Sequence, residues 1–371
     1  MADLDSEARA LRRIRTVAAD QADTLDLCHL GLARLPEELF ALPHLRRLHL
    51  GYGLKQVDGR WVRAPGANQP NRVAAQLARL AELPALEALS LSGTDCADIA
   101  PLAALKRLSW LDLDGTAVSD LRPLADLTDL RVLSLSATQV ADLAPLAGLA
   151  QLQMLDLRST PVVDLHPLAG LGDLHELSLG QFVDGDLAPL GGLARLQSLY
   201  LSARSIHDVA VLAELRALVR LYLYGPWVRD LTPLAQLTEL REIHIDDCPV
   251  DDLSPLGGLG RLRSLGLSRL PVPKSGFGVI GRLSSLTDLA IQDCRIHDLA
   301  PIADLSQLRR LTLSGCRIER WPGQLWASPA LQEVRMSRTR ILGLPGEILS
   351  GPPGANLLPG LRAHLASRHD G

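Results

Sequence analysis

A pair of leucines separated by one residue recurs along this chain at a nearly constant interval. From residue 89 to residue 265 the spacing is 22 residues without a slip, and its first members are Leu89, Leu111, Leu133, Leu155, Leu177, Leu199, Leu221, Ile243 and Leu265. Leu25 and Leu48 precede this run, and Leu289, Leu311 and Val334 follow it at intervals of 22 to 24 residues. Such a period is typical of repeat architectures, in which each unit packs on its neighbours and no unit closes a core alone.

Each unit reads approximately LxxLxLxxTxVxDLxPLAxL. The alternating LxL segment predicts a short, half-buried strand. The proline of the returning segment fixes φ and removes a hydrogen-bond donor, which favours a short helical turn or an extended return over a long helix. We therefore predict an α/β repeat solenoid, a horseshoe with a parallel concave sheet and an irregular or 3-10 convex side. Its expected parts are an N-terminal helical cap over 1–23, about 14 strands over 24–345, and a C-terminal cap over 346–371.

This pattern resembles the leucine-rich-repeat superfamily, particularly the 22-residue class of internalin-like and phosphatase-regulatory proteins. The segments "TLDLCHLGLARLPEELFALPHLRRLHL" and "LGLPGEILSGPPGANLLPGLRAHLASR" also resemble the start and the end of the repeat region of bacterial Roco proteins. The second resemblance implies a recognition module of a Roco-type GTPase. No GxxxxGK[ST] phosphate loop occurs in the chain, so we favour a stand-alone repeat protein.

Composition narrows the class of partner. The chain has 38 basic and 42 acidic residues and a net charge of -4, whereas a general nucleic-acid binder carries a basic excess. The N-terminus has no apolar signal region, and no apolar run is long enough to cross a membrane. The five cysteines show no disulfide-framework spacing, and nearly all basic residues are Arg. We expect a bacterial, cytoplasmic protein that binds neither nucleic acid nor a membrane.

One unit is longer than the rest. Leu48 and Leu89 are 41 residues apart, which indicates either about 19 inserted residues or one degenerate unit. The Asp58-Gly59 pair predicts a hairpin or loop that protrudes between Lys55 and Asn71, near 52–72, with Trp61 at its tip or base. This insertion either shields an edge of the sheet or takes part in binding. A second, smaller insertion is "LPVPKSGFGVI".

The regular polar residues have two interpretations. One Asp per unit precedes Leu-x-Pro-Leu, as at Asp98 and Asp120. One interpretation is a ladder of calcium ligands. We favour the other, in which each Asp accepts hydrogen bonds from the N–H groups of the turn that it opens. Thr94 and its equivalents, and the later Cys248, share one position. We interpret the residues at this position as small residues that cap the strand. The alternative for the cysteines is zinc ligation or a disulfide. We find no catalytic set, so we predict a protein that is not an enzyme and that uses no cofactor or metal.

Residues that alternate with the Leu pair are expected on the concave face. Exposed Tyr with Arg and His is typical of a binding hot spot, although Tyr also tolerates a solvated strand. We predict a protein-interaction scaffold, with the Roco module as the main alternative; a secreted effector or adhesin of internalin type and an effector ubiquitin ligase are disfavoured. The candidate partner-binding residues are Trp110, Asp112, Asp114, Tyr200, Arg220, Tyr222, Tyr224, His244, Asp246 and Arg335.

Overall fold

The predicted repeat builds both parts of the molecule. The structure, a computed structural model, describes residues 2–52, 54–57, 60–63, 70–182, 186–250, 252–271, 276–342 and 355–369. The chain divides into two compact units, Met1–Gln181 and Phe182–Gly371. Each unit contains seven parallel strands of the repeat, joined by short returns.

The first unit opens with helix α1, Ala2–Asp20. Its Ile14 and Val17 are buried, and Arg13 Nη1 donates a 2.7 Å hydrogen bond to the carbonyl oxygen of Asp26 in the first strand. The predicted N-terminal helical cap is therefore confirmed.

Parallel strands and 3-10 returns alternate through the first unit. The strands lie in the order β1 (Thr24–Asp26), β2 (Arg47–His49), β5 (Ala88–Ser90), β6 (Trp110–Asp112), β7 (Val132–Ser134), β8 (Met154–Leu157) and β9 (Glu176–Phe182). The 3-10 helices are Glu37–Ala41, Ala74–Glu82, Ala100–Ala104, Arg122–Leu124, Ala144–Leu146 and His166–Leu168. Within the insertion, β3 (Leu54–Val57) and β4 (Arg60–Arg63) pair antiparallel, so the predicted hairpin is confirmed in its strands. Its turn, at residues 58 and 59, lies outside the described residues.

The second unit repeats this plan. Its main strands are β10 (Ser198–Ala203), β11 (Arg220–Tyr224), β12 (Glu242–Asp246), β13 (Ser264–Ser268), β14 (Asp288–Gln292), β16 (Arg310–Ser314) and β18 (Glu333–Ser337). Its 3-10 helices are Ala188–Gly192, Ala210–Glu214, Thr232–Gln236, Ser254–Gly258 and Ala300–Asp304. The α-helices are α2 (Gly276–Ile280), α3 (Gly323–Ala327) and α4 (Leu358–His369).

Strand register follows the sequence period. Leu25 pairs with Leu48 and Leu48 with Leu89, so the inserted residues leave the ladder unbroken. In the second unit Leu265 pairs with Leu289 across the longer 24-residue interval. The first leucine of each pair is inside, and Leu221, for example, has no exposed surface. Burial of one Leu side chain stabilises the fold by about 1.5–3 kcal/mol. The stacked turns therefore supply a core without a globular domain.

The repeated Asp closes the return of its own turn. In nine turns its Oδ1 accepts a hydrogen bond of 2.7–2.9 Å from the main-chain N–H two residues later. These residues are Asp98, Asp120, Asp142, Asp164, Asp186, Asp208, Asp230, Asp252 and Asp298. The turn interpretation of this column is confirmed.

The position three residues after the second leucine holds a small residue that binds the main chain. Thr94 and Thr116 each donate a 2.6 Å hydrogen bond from Oγ1 to the carbonyl oxygen three residues earlier. In the turn that carries the insertion, Asn71 returns the chain to this position, and its Nδ2 donates to the carbonyl oxygens of Leu27 and Leu50. Its Oδ1 accepts from the N–H of Leu32 at 2.8 Å, so one buried amide joins three main-chain groups.

A second sheet in the returns of the second unit was not expected from the sequence. Strands β15 (Arg295–Asp298), β17 (Arg317–Arg320) and β19 (Arg340–Ile341) pair parallel. Ile296 and Ile318 are fully buried while the arginines beside them are exposed. This local alternation of period two favours extended chain in the returning segment.

Candidate binding surface

A row of rings crosses three neighbouring strands of the second unit. Tyr200 on β10 pairs with Tyr222 on β11, which pairs with His244 on β12. The ring centroids of Tyr200 and Tyr222 are 6.2 Å apart, and those of Tyr222 and His244 are 4.8 Å apart with their planes parallel within 4°. We call these three residues the aromatic row.

A glycine next to the row makes room for the His244 ring. Gly266 on β13 pairs with His244, and a Cβ atom at residue 266 would lie only 2.1 Å from His244 Nδ1. Because residue 266 has no side chain, the His244 ring can occupy the space in which a Cβ atom at that position would lie. A shallow pocket of about 190 Å³ results, lined by the aromatic row, Tyr224, Asp246 and Gly266 among others.

The carboxylate of Glu242 holds two of the rings in place. Tyr222 Oη donates a hydrogen bond to Glu242 Oε1, and His244 Nε2 lies 3.3 Å from the same oxygen. These two contacts fix both rings through one oxygen of Glu242. Tyr200, which is 37% exposed, is the most accessible residue of the row.

Tyr224, Asp246 and Arg269 form a second layer beside the row. Arg269 Nη2 lies 2.7 Å from Asp246 Oδ2, and the guanidinium carbon lies 5.9 Å from the centre of the Tyr224 ring. Asp246 Oδ1 is buried and accepts no hydrogen bond of regular geometry from the described residues. Burial raises the pKa of Asp246, and the charge of Arg269 opposes this shift.

Two other predicted residues of the second unit are tied to near neighbours. Arg220 Nε lies 3.4 Å from the Ser198 hydroxyl, and Arg335 forms an ion pair with Glu333. Trp227, 49% exposed, lies in the return, where its ring packs 5.3 Å from that of His207. It is not part of the aromatic row.

The acidic residues predicted to contact a partner on the first unit, Asp112 and Asp114, accept hydrogen bonds within that unit instead. Trp110 lies edge-to-face with His49 at 6.1 Å, but Asp112 has no exposed surface. Asp112 accepts hydrogen bonds from the Ser90 hydroxyl at 2.8 Å and from the main-chain N–H of Asp114 at 3.1 Å. The prediction that Asp112 offers an exposed contact is therefore wrong, because its carboxylate is used inside the turn.

Asp114 continues this polar network. Its Oδ1 accepts from the Ser134 hydroxyl at 2.5 Å and from the N–H of Ser136 at 2.8 Å. Burial raises the pKa of Asp114 to about 7, and the neighbouring Asp112 carboxylate adds to the shift. Burial likewise raises the pKa of Asp112. Sequence reasoning missed this network, although the strand register alone places Ser90 and Ser134 on either side of Asp112.

The described residues contain no group of three or more His, Cys, Asp or Glu side chains arranged to hold a metal ion. The five cysteines are buried and unpaired. Cys248 and Cys316 donate from Sγ to the carbonyl oxygen two residues earlier, at 3.4 and 3.3 Å. These thiols therefore occupy the strand-capping position taken elsewhere by Thr. No helix in the described part of the chain combines the length and apolar character needed to cross a membrane.

One strand and one short return per repeat, with the leucines in register, define a leucine-rich-repeat solenoid. The solved structures agree. An internalin, InlF, from Listeria monocytogenes superposes with a TM-score of 0.66 at 25% identity, over 81% of this chain and 93% of that one. A leucine-rich-repeat protein of Leptospira interrogans gives 0.66 at 19%, over 90% and 95%. The functional domain of InlJ from Listeria monocytogenes, described as including a cysteine ladder, gives 0.61 at 17%, over 87% and 64%.

The chain thus has the leucine-rich-repeat fold and is similar in structure to an internalin. Neither the protein-family models nor the curated proteins contain a match to it. The resemblance to the repeat region of Roco proteins receives no support from these comparisons.

Proposed function

We propose that this protein is a non-enzymatic interaction scaffold, and that the aromatic row with Tyr224 is the centre of its protein-binding surface. The stacked, partly exposed rings of Tyr200, Tyr222 and His244 carry this proposal. The chain has only four Tyr residues, and three of them lie on two neighbouring strands. Tyr is enriched in binding hot spots because one rigid ring offers both apolar area and a hydroxyl group.

Preorganisation supports the same surface. Glu242 holds two of the rings, so a partner meets side chains that lose little conformational freedom on binding. Gly266 adds a recess beside the row that accepts a side chain of the partner. Arg220, Asp246 and, further along the same unit, Arg335 are proposed as peripheral contacts.

Trp110 and Asp114 form a separate proposed contact on the first unit, where Trp110 is half-buried. Asp112 is omitted because it is fully buried. The regular polar residues favour binding over catalysis, since the Asp, Thr and Cys columns are each occupied in closing their own turns.

The test uses the protein as bait in extract from its host. Proteins captured by wild type are compared with those captured by a Tyr200→Ala/Tyr222→Ala variant, and binding of each captured candidate is then measured by calorimetry. We expect the double variant to weaken the specific partner by about 2 kcal/mol or more, roughly 30-fold.

Trp227→Ala is the matched control, because it removes an exposed aromatic ring outside the row. It should leave the affinity unchanged. If wild type and the double Tyr variant bind every captured protein equally well, the aromatic row is not the binding site.

We also propose a cytoplasmic setting, which the five unpaired thiols support because exposure to oxidising compartments favours disulfides. Fractionation of host cells with an antibody to the protein tests this. Recovery outside the cytoplasm contradicts the proposal.

A further inference from the structure

An open groove of about 780 Å³ lies along the edge of the second unit where its strands begin. Arg263, Thr287, Arg309 and Gln332 line it, and each directly precedes a strand of the main sheet. The groove is distinct from the aromatic row, with which it shares no lining residue. We call it the arginine groove.

Strand pairing uses the main-chain acceptors of this edge. The carbonyl oxygen of Arg263 accepts from the N–H groups of Thr287 and Asp288, both at 2.9 Å. The carbonyl oxygen of Arg309 accepts in the same way from Gln332 and Glu333, at 2.9 and 3.0 Å. These bonds fix the spacing of the turns. Arg263 and Arg309 stand two strands apart, which separates their Cα atoms by about 10 Å.

The groove carries unbalanced positive charge. Among its described lining residues the one carboxylate is Asp288, which is paired with Arg310 and also accepts a hydrogen bond from the Thr287 hydroxyl. Neither Arg263 nor Arg309 has an ion-pair partner in the part of the chain that the structure describes. Two guanidinium groups therefore remain available, and the amides of Gln307 and Gln332 add further donors.

We propose that the arginine groove binds an acidic segment of a protein partner, with Arg263 and Arg309 each holding one side-chain carboxylate. A guanidinium presents its N–H groups as a planar fork that matches the two oxygens of a carboxylate. In a polyproline II segment, which has three residues per turn and rises about 3.1 Å per residue, side chains three apart lie on one face about 9 Å from each other, close to the spacing of the two arginines.

The groove is poorly suited to nucleic acid. Single-stranded nucleic acid is bound by aromatic side chains that stack on bases, and none of the described residues that line the groove is aromatic. Duplex binding draws on many phosphate contacts, whereas two available guanidinium groups in a chain of net charge -4 give few.

The probe is a fluorescein-labelled peptide of repeated Glu-Gly-Gly triplets, which places carboxylates three residues apart. Its binding to the full chain is followed by fluorescence anisotropy at low ionic strength. The Arg263→Gln/Arg309→Gln variant should bind the peptide at least about tenfold more weakly than wild type. The same peptide with Gln in place of Glu should not bind.

Arg216→Gln/Arg229→Gln is the control variant. It removes the same charge from two exposed arginines of the same unit that lie outside the groove. It should bind within about twofold of wild type. Equal weakening in both variants overturns the proposal, because general charge attraction then explains binding. No binding to wild type at about 1 mM peptide also overturns it. The proposal is also overturned if a DNA duplex binds more tightly than the peptide and the Arg263→Gln/Arg309→Gln variant weakens the binding of that duplex.

Discussion

Asn71 is the residue at which the inserted segment rejoins the repeat, and its replacement by Ala tests how the ladder tolerates the insertion. The side chain is 1% exposed and makes three hydrogen bonds to main-chain groups: it accepts from Leu32 N–H and donates to the carbonyl oxygens of Leu27 and Leu50. These three groups belong to the first two turns. In the Ala variant all three lose this partner.

The expected loss of unfolding free energy follows from the number of hydrogen bonds that the variant loses. A buried main-chain group left without a partner costs about 1–3 kcal/mol. Three such groups give an upper range of about 3–9 kcal/mol, and water that enters the vacated space satisfies part of the loss. We therefore expect Asn71→Ala to lower the free energy of unfolding by about 4 kcal/mol.

Urea denaturation followed by circular dichroism measures this change. Thr116→Ala is the comparator, since it removes a single hydrogen bond from the equivalent position and should cost about 1–2 kcal/mol. Asn71→Asp keeps the acceptor for Leu32 but turns a carboxylate toward two carbonyl oxygens. It should be at least as destabilised as the Ala variant at neutral pH, and should recover in acid. A loss below about 1 kcal/mol for Asn71→Ala would refute the reasoning.

Three further changes test other parts of the structure. Leu221→Ala should lower the free energy of unfolding in urea by about 2–5 kcal/mol through its cavity, because the side chain is fully buried; a loss below 1 kcal/mol would contradict this. Asp142→Ala removes the 2.8 Å bond to Ala144 N–H and should cost about 0.5–2 kcal/mol in the same assay. Asp114 has its pKa raised from 3.8 to about 7, so the folded chain keeps a proton that the unfolded chain has lost. The native protein should therefore lose stability as pH rises from about 4 to 7, and Asp114→Asn should flatten that slope in thermal melts; an unchanged slope would contradict the assignment.

Local rules explain which features could be predicted from the sequence. The fourteen strand positions follow from a fixed period, and each turn-closing Asp bonds to a group only two residues away. The register places Ser90 beside Asp112, but it does not show that the two side chains form a hydrogen bond, so the burial of Asp112 could not be predicted in this way. Alternation along a strand says which face a side chain occupies, but the neighbouring strands decide how deeply it lies.

The role of Asn71 was hidden for a different reason. The residue follows a long insertion, so the period no longer identifies its position. The aromatic row was predictable as a set of neighbours from the 22-residue spacing of Tyr200, Tyr222 and His244. The stacking of Tyr222 on His244 was not, because it depends on the space left at Gly266.

The reactivity of the buried cysteines reports local unfolding of this protein. Cys28 and Cys96 lie in the first unit, and Cys248, Cys294 and Cys316 lie in the second. Burial raises the pKa of Cys96 and Cys294 to about 11, so very little reactive thiolate is present in the closed state. A thiol reagent can then label each cysteine only when its own turn opens. The labelling rate at each position gives the free energy of opening there, turn by turn, without any introduced probe.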